Sequence, residues 1–341
     1  MENRNRRLIR AARFALRLVS EELTMKHTLL VVLLFALVTV VHGQTPTRTM
    51  ARTIAVTMDD LPFVRIGEGD YVDRARPVTA KILSALKKHK APAVGFVNEH
   101  MLQDPRKDER IDLLRQWVKS GMILGNHTYS HPDFNNLTVE QFQEEIVKGD
   151  VVTRELMRNH QPYQLYFRHP FTHTGDTLEK KEAVEKFLAA RGYKVTPHTL
   201  ENSDWIFNVP YVEAVQKGDK AMAERVRKEY LDFTIAATEF AEKIAPQIFG
   251  REIPLLLIIH SNDINADCLD EMLRRFAARG YKFVTLDSVM ADPAYQTENT
   301  YINKYGPTWF VRWARTKGLK LDFSGDADPP KWVMDLYNHR N

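Results

Sequence analysis

The chain has 341 residues, of which 44% are hydrophobic and 27% are charged, values that are ordinary for a globular protein. Its single cysteine, Cys268, excludes an intramolecular disulfide and a metal site built from several cysteines. The formal net charge of +4 comes from residues 1–43, which hold seven basic and three acidic residues and leave 41 of each in the remainder. A neutral body gives no charge argument for nucleic-acid binding, so we expect no nucleic-acid partner.

An apolar run without interruption covers residues 28–41. It is shorter than the roughly 20 residues that a membrane span needs, and it fits the apolar region of a secretory signal peptide. Met25 makes a natural start, so residues 1–24 are interpreted as an upstream extension. With small Gly43 at the cut, we expect residues 1–43 to be removed and the protein to be exported, either periplasmic or secreted. A retained N-terminal membrane anchor is the alternative.

Apolar, β-branched runs alternate with helical periodicity between residues 52 and 290. The predicted strands are 52–58, 91–97, 122–126, 163–167, 192–196, 254–260 and 280–285. The predicted helices are 75–89, 108–120, 138–158, 178–191, 267–279 and 286–290. This alternation predicts an α/β domain with a parallel sheet, and seven or eight such units favour closure into a barrel. We assign the catalytic domain to residues 44–290.

Two segments depart from this alternation. Residues 210–250 are mainly helical and charged, and they are interpreted as a helical pair inserted into the domain, either in the outer layer of the barrel or as a substrate lid. Residues 291–341 form a C-terminal helical extension, in which Trp309, Phe310 and Trp313 lie three to four residues apart. A helix that packs back onto the barrel is favoured over aromatic side chains that stack on sugars.

Two adjacent carboxylates, Asp59 and Asp60, close the first predicted strand. A buried carboxylate carries a large desolvation penalty unless a cation or hydrogen bonds offset it. The pair therefore indicates a bound metal, with one carboxylate left for acid–base chemistry. A strand-end turn with solvated acids is the alternative on this stretch alone.

His127 and His131 follow the apolar run 122–124 and are four residues apart, so one helical turn can aim both rings at one ion. Two histidines and Asp60, with one open position, are the usual ligand set of a catalytic zinc-type site. Oxygen and imidazole ligands also suit Co, Ni, Mn or Fe. The expected cofactor is one divalent ion, with zinc favoured.

Three further motifs follow: Arg168-His-Pro-Phe171, Asp204-Trp205, and an apolar run that ends at His260. The five motifs in this order resemble the polysaccharide deacetylase family, the metal-dependent carbohydrate esterases that share the NodB homology domain. The resemblance covers roughly residues 50–290. It implies a distorted (β/α) TIM-like barrel that removes acetyl groups from N-acetylated or O-acetylated carbohydrate.

The resemblance also implies roles for the remaining polar residues. Asp59 would be the general base that deprotonates the metal-bound water. His260 would be the general acid that protonates the leaving group. Arg168 would hold Asp59 ionised, and Asp204 would keep His260 protonated, although each could instead belong to a structural ion pair.

Two aromatic residues complete the candidate site. The backbone N–H of Phe171 would help to bind the oxyanion, and Trp205 would wall the acyl pocket unless it packs in an aromatic core. Where family members often carry Asp directly after the histidine of the last motif, this chain has Ser261.

The sequence therefore predicts an exported, metal-dependent hydrolase that acts on an acetylated glycan or amino sugar. Two alternatives remain open. One is an amidase of the same fold that acts on a small cyclic or linear amide, and the other is an inactive carbohydrate-binding protein. Release of acetate from acetylated glycans separates the first reading from the other two.

Overall fold

The structure is a computed structural model and describes residues 52–103, 105–160 and 164–339. The predicted signal peptide, the start at Met25 and the cleavage near Gly43 lie outside these residues. Within the described part, no helix combines the length and the apolar character that a membrane crossing requires.

Eight strands form one parallel sheet in the order β5-β4-β3-β2-β1-β7-β6, and β8 pairs with the first residues of β1. The strands are β1 (Thr53–Leu61), β2 (Ala93–Val97), β3 (Ile123–Asn126), β4 (Leu165–Phe167), β5 (Tyr193–Val195), β6 (Leu200–Glu201), β7 (Leu255–His260) and β8 (Lys282–Phe283). The two ends of the path, β5 and β6, are not paired with each other. The predicted distorted barrel is thus confirmed as a curled parallel sheet that stays open between these strands.

Helices surround the sheet. They are α1 (Tyr71–Lys88), α2 (Lys107–Lys119), α3 (Val139–Lys148), α4 (Val151–Met157), α5 (Leu178–Ala190), α6 (Asp204–Gln216), α7 (Lys220–Phe249), α8 (Asp263–Ala278), α9 (Leu286–Met290), α10 (Trp309–Thr316) and α11 (Lys331–Asn338). A capping box is present at the start of α3, where Thr138 and Gln141 each bond the other's backbone N–H. Strands β1 and β7 have neighbours on both sides, which explains their nearly continuous apolar runs.

The prediction of one helix over 138–158 is wrong, because the segment forms two helices, α3 and α4. The break lies at Gly149, whose backbone passes against the loop that carries the first histidine. A Cβ atom at Gly149 would lie 2.3 Å from the carbonyl carbon of Thr128. This tertiary contact requires glycine and ends the helix there.

The helical insertion begins earlier than predicted, because α6 starts at Asp204 and continues through Pro210. Its partner α7 packs along α6 and against α8, and it buries Tyr230 and Ile244 in the main core. The extension packs back as predicted: α10 lies on α7, with Trp309 and Trp313 buried.

Candidate active site

The predicted site residues lie at or just after the carboxyl ends of five strands, as in other parallel barrels, and Asp204 and Trp205 follow β6. Parallel pairing of β1 with β7 places Asp59 directly opposite His260. Strand β3 leads into His127, and β4 leads into Arg168. Residues from distant parts of the sequence therefore meet at one edge of the sheet.

Three of these residues form a possible metal site. One carboxylate oxygen of Asp60, Oδ1, lies 3.5 Å from Nε2 of His127 and 3.5 Å from Nε2 of His131. The three donor atoms all lie within 4.8 Å of one another. Oδ1 of Asp60 is buried without a hydrogen-bond partner, an arrangement that is costly for a carboxylate unless a cation binds it. The residues present thus fit a divalent ion.

The protonation of the two imidazoles also suits metal binding. Nδ1 of His127 lies 2.8 Å from the carbonyl oxygen of Arg168, so this nitrogen carries the ring proton and leaves the lone pair of Nε2 free for an ion. Burial lowers the pKa of His127 to about 3, and burial also lowers the pKa of His131. Burial opposes ionisation of Asp60, but the nearby histidines outweigh it and lower the pKa of that carboxyl. The site therefore offers two neutral imidazoles and a carboxylate.

The backbone at this site is strained, a feature that the sequence did not predict. Asp60, Thr128 and His131 have φ angles of 59°, 69° and 57°, a left-handed conformation that side chains other than glycine adopt at a cost. Local hydrogen bonds support it. The side chain of Asn98 donates to the carbonyl oxygen of His127 at 2.6 Å, and Oδ1 of Asn126 accepts from the backbone N–H of Thr128 at 2.7 Å. These contacts stabilise the loop that aims both histidines at Asp60.

Asp59 forms a buried ion pair beside the metal site. Its Oδ1 accepts from Nη1 of Arg168 at 3.2 Å, and Nη2 of Arg168 donates to the carbonyl oxygen of Pro197. Its other oxygen, Oδ2, lies 3.6 Å from Nε2 of His127. Burial raises the pKa of Asp59 to about 6, although the charge of Arg168 opposes the shift. A carboxylate with this pKa can accept a proton near neutral pH.

His260, on the strand next to that of Asp59, is held by Asp204. Nδ1 of His260 donates to Oδ1 of Asp204 at 2.8 Å. Oδ2 of Asp204 accepts from the backbone N–H of His260 and from the side chains of Asn262 and Asn265, at 2.9, 2.7 and 2.6 Å. Burial lowers the pKa of His260, but Asp204 and the other nearby carboxylates outweigh it and raise the pKa to about 10. The imidazole is therefore protonated at neutral pH.

Neither asparagine was predicted. Asn262 is also the N-cap of α8, where its side chain accepts from the backbone N–H of Asn265. An asparagine between an apolar strand and a helix is a recognisable cap signal, but its bond to Asp204 depends on a contact with the start of α6.

The sequence profile of the polysaccharide deacetylases matches residues 47–187, which include the metal triad, Asp59 and Arg168. The chain belongs to the polysaccharide deacetylase family. An uncharacterised 30.6 kDa protein of Geobacillus stearothermophilus is 30% identical over 224 residues, 65% of this chain and 69% of that protein.

Two named relatives belong to different kingdoms. The peptidoglycan-N-acetylmuramic acid deacetylase of Bacillus subtilis is 27% identical over 213 residues, 62% of this chain and 66% of that enzyme. A chitin deacetylase of Arthroderma benhamiae is 30% identical over 245 residues, 72% of this chain and 53% of that enzyme. The chain thus spans about two thirds of the bacterial enzyme and about half of the fungal one.

Both aromatic residues of the predicted family site face open space. Phe171 is 53% exposed, and its ring lies 4.6 Å from that of His131. Trp205 is 44% exposed and contacts Tyr337 edge-on. Both line the cavity above the metal site. The alternative that Trp205 packs in an aromatic core is therefore wrong.

The extension beyond the family's matched region supports the loop that carries Phe171. The hydroxyl of Thr172 donates to the carbonyl oxygen of Gly306 at 2.7 Å. Arg312, fully buried in α10, donates to the carbonyl oxygen of Thr172 at 2.6 Å and to the hydroxyl of Thr174 at 3.0 Å. Nothing local in the sequence indicates these distant partners of Arg312.

A cavity of about 990 Å³ opens over the site. Asp59, Asp60, His127, His131 and His260 line one part of it. Helices α7 and α10 and residues 323–329 form further parts of its wall. One face of the helical insertion thus packs in the core and another lines the cavity. The insertion is therefore not confined to the outer layer of the barrel, which was one of its two predicted placements.

Proposed function

We propose that this protein is a metal-dependent hydrolase that removes acetyl groups from N-acetylated or O-acetylated carbohydrate. One observation carries the proposal: the buried, unpartnered oxygen of Asp60 lies between the neutral rings of His127 and His131, with a candidate base and a candidate acid beside it. Membership of the family supports the reaction. The named relatives, which are deacetylases of peptidoglycan and chitin, support carbohydrate as the substrate.

Asp60, His127 and His131 would hold one divalent ion, and their oxygen and nitrogen donors suit zinc. When bound, such an ion polarises the acetyl carbonyl group and makes water more acidic.

The chain's own residues then move two protons. Asp59 has one oxygen bonded to Arg168, and its other oxygen takes a proton from the water that attacks the acetyl carbon. His260, held at Nδ1 by Asp204, gives a proton from Nε2 to the leaving nitrogen or oxygen. A carbon–oxygen bond to water forms, the bond to the sugar breaks, and acetate and the free amine or hydroxyl are released.

The test measures metal content and acetate release together, using chitin oligomers, peptidoglycan and acetylated xylan. We expect about one divalent ion per chain and acetate from at least one substrate. His127→Ala should remove most of the metal and nearly all activity. His89→Ala is the matched control, because His89 pairs with Asp270 on the outside of the barrel. Full metal occupancy in His127→Ala would contradict the ligand assignment, and a metal-loaded protein that releases no acetate would contradict the activity.

We also propose that the protein is exported. The apolar run 28–41 supports this proposal. Sequencing the N-terminus of protein from its native host should find a mature start near Gln44. Protein that retains residues 1–43 in the cytoplasm would refute export.

A further inference from the structure

One wall of the active-site cavity is entirely apolar. Helix α7 turns one face toward the cavity, and the side chains on that face recur at helical spacing. They are Phe233, Ala237, Phe240, Ala241 and Ile244. Two threonines of the same helix, Thr234 and Thr238, bond backbone oxygens of the helix itself and do not line the cavity. No polar side chain of α7 faces the substrate space.

This wall is left open rather than filled by the protein. Phe233, Ala237 and Phe240 remain partly exposed. Next to α7, Val311 of α10 and Phe323, whose ring lies 6.2 Å from that of Phe240, also present apolar surface. Asp326 and Asp328 flank Ala327 in the neighbouring segment. Apolar surface exposed to water carries a free-energy cost that an apolar ligand removes.

The size of the cavity also exceeds what an acetyl group needs. Its volume of about 990 Å³ lies at the upper end of the roughly 300–1,000 Å³ that is common for sites of drug-sized ligands. An unsubstituted sugar against α7 would leave its hydroxyl groups without hydrogen-bond partners, which is unfavourable. The geometry is better matched by an amphiphilic substrate.

We propose that the substrate carries an apolar group larger than acetyl, an alkyl chain or an aryl ring, that lies against α7 while the scissile amide or ester lies at the metal centre. This inference rests on the proposed function, since it specifies the substrate of the same site. The apolar group belongs either to the acyl part or to the part that leaves, and the experiment distinguishes these positions.

The experiment uses two substrate pairs with the zinc-loaded protein. One pair, N-octanoylglucosamine and N-acetylglucosamine, varies the acyl group. The other, the octyl and methyl glycosides of N-acetylglucosamine, varies the leaving part. Each buried methylene favours binding by about fourfold, so the longer chain, even partly buried, should raise kcat/KM at least about tenfold in one pair. Calorimetry measures the affinity for the two glycosides separately from turnover.

A filled cavity should remove this preference. Ala237→Phe places a ring on the cavity face of α7. It should lower the ratio of kcat/KM between the octyl and methyl glycosides, or between the octanoyl and acetyl substrates, about tenfold. Ala221→Phe is the matched control, because Ala221 is exposed in the first turn of the same helix and does not line the cavity. Circular dichroism and metal content verify that both variants fold.

The outcomes separate the two proposals. Equal kcat/KM within each pair and equal affinity for the two glycosides would overturn the inference, even if chitin oligomers release acetate. Suppose that the octyl glycoside binds more tightly than the methyl glycoside and that Ala237→Phe abolishes this difference. That result would uphold the apolar site, even if no acetylated carbohydrate is hydrolysed and the proposed function fails.

Discussion

Replacing Asp204 by asparagine should change the pH range in which the enzyme works. The carboxylate bonds Nδ1 of His260 at 2.8 Å and is itself held by the side chains of Asn262 and Asn265. Asp204→Asn removes the negative charge and keeps the size of the side chain. The imidazole should then lose the interaction that contributes most to keeping it protonated.

The size of the change follows from the pKa of His260. Burial lowers this pKa, and Asp204 is the largest of the influences that raise it to about 10. In Asp204→Asn the burial remains while that charge is gone, so the pKa should fall toward the ordinary value of 6.5, a change of roughly three pH units. A cation bound at Asp60 lowers the pKa in both proteins, so the difference between them is the quantity to compare.

The assay is kcat/KM for an N-acetyl substrate as a function of pH. Activity requires a protonated His260, so the alkaline limb of the profile should move down by roughly three units in Asp204→Asn. Asp263→Asn is the control, because Asp263 lies just beyond His260 but pairs with Arg74. An alkaline limb that stays in place in Asp204→Asn, or that moves equally in the control, would refute the assignment of His260 as the proton donor.

The same pair should also affect stability. A histidine whose pKa is raised on folding stabilises the fold below its unfolded pKa of about 6.5 and loses that contribution as the pH rises through about 10. As the pH rises from about 6.5 to about 10, the free energy of unfolding of the metal-free wild type should therefore fall toward that of Asp204→Asn. The fall should be at most about 5 kcal/mol. Urea denaturation at several pH values measures it, and a constant difference would contradict the coupling.

Three other substitutions test the remaining roles. Asp59→Asn should keep the metal but lower kcat by about 10²–10⁴-fold, and the wild type should lose activity below about pH 6, where Asp59 becomes protonated. His260→Ala should lose more kcat/KM on an N-acetyl substrate than on an aryl acetate, because an aryl oxide leaves without a proton; equal losses would argue against a proton donor. Arg312→Met leaves the carbonyl oxygen of Thr172 unpaired and should lower the free energy of unfolding by about 2–4 kcal/mol in urea, together with kcat/KM. Arg315 is exposed on the same helix, so Arg315→Met should change neither quantity. Identical behaviour of the two arginine variants would show that Arg312 does not support the site.

Much of the barrel could be predicted because its strands are short apolar runs that end in polar residues. Strand β7 is an uninterrupted apolar run up to His260, and the sheet pairs it with β1 as expected for a parallel fold. The metal triad could be predicted because two of its members are close in sequence and the third follows a strand. These signals are local, so one sequence is sufficient to find them.

Other features depend on contacts between distant residues and give no local signal. Arg312 bonds Thr172 across 140 residues of sequence, and the break at Gly149 arises from the loop at Thr128. The left-handed backbone at Asp60 and His131 is also hidden, because neither residue is a glycine. The apolar stripe of α7 is visible in the sequence, but stripes of this kind usually mark core packing, so its exposure to the cavity could not be predicted.

The pairing of β1 with β7 has a consequence for how the site is acquired during synthesis. All three candidate metal ligands are translated by residue 131, whereas Asp204 and His260 come much later. A nascent chain that ends before α6 thus contains every candidate ligand but lacks the candidate proton donor and the strand that lies beside Asp59. In order of translation, the residues of the candidate ion site thus precede the candidate proton donor.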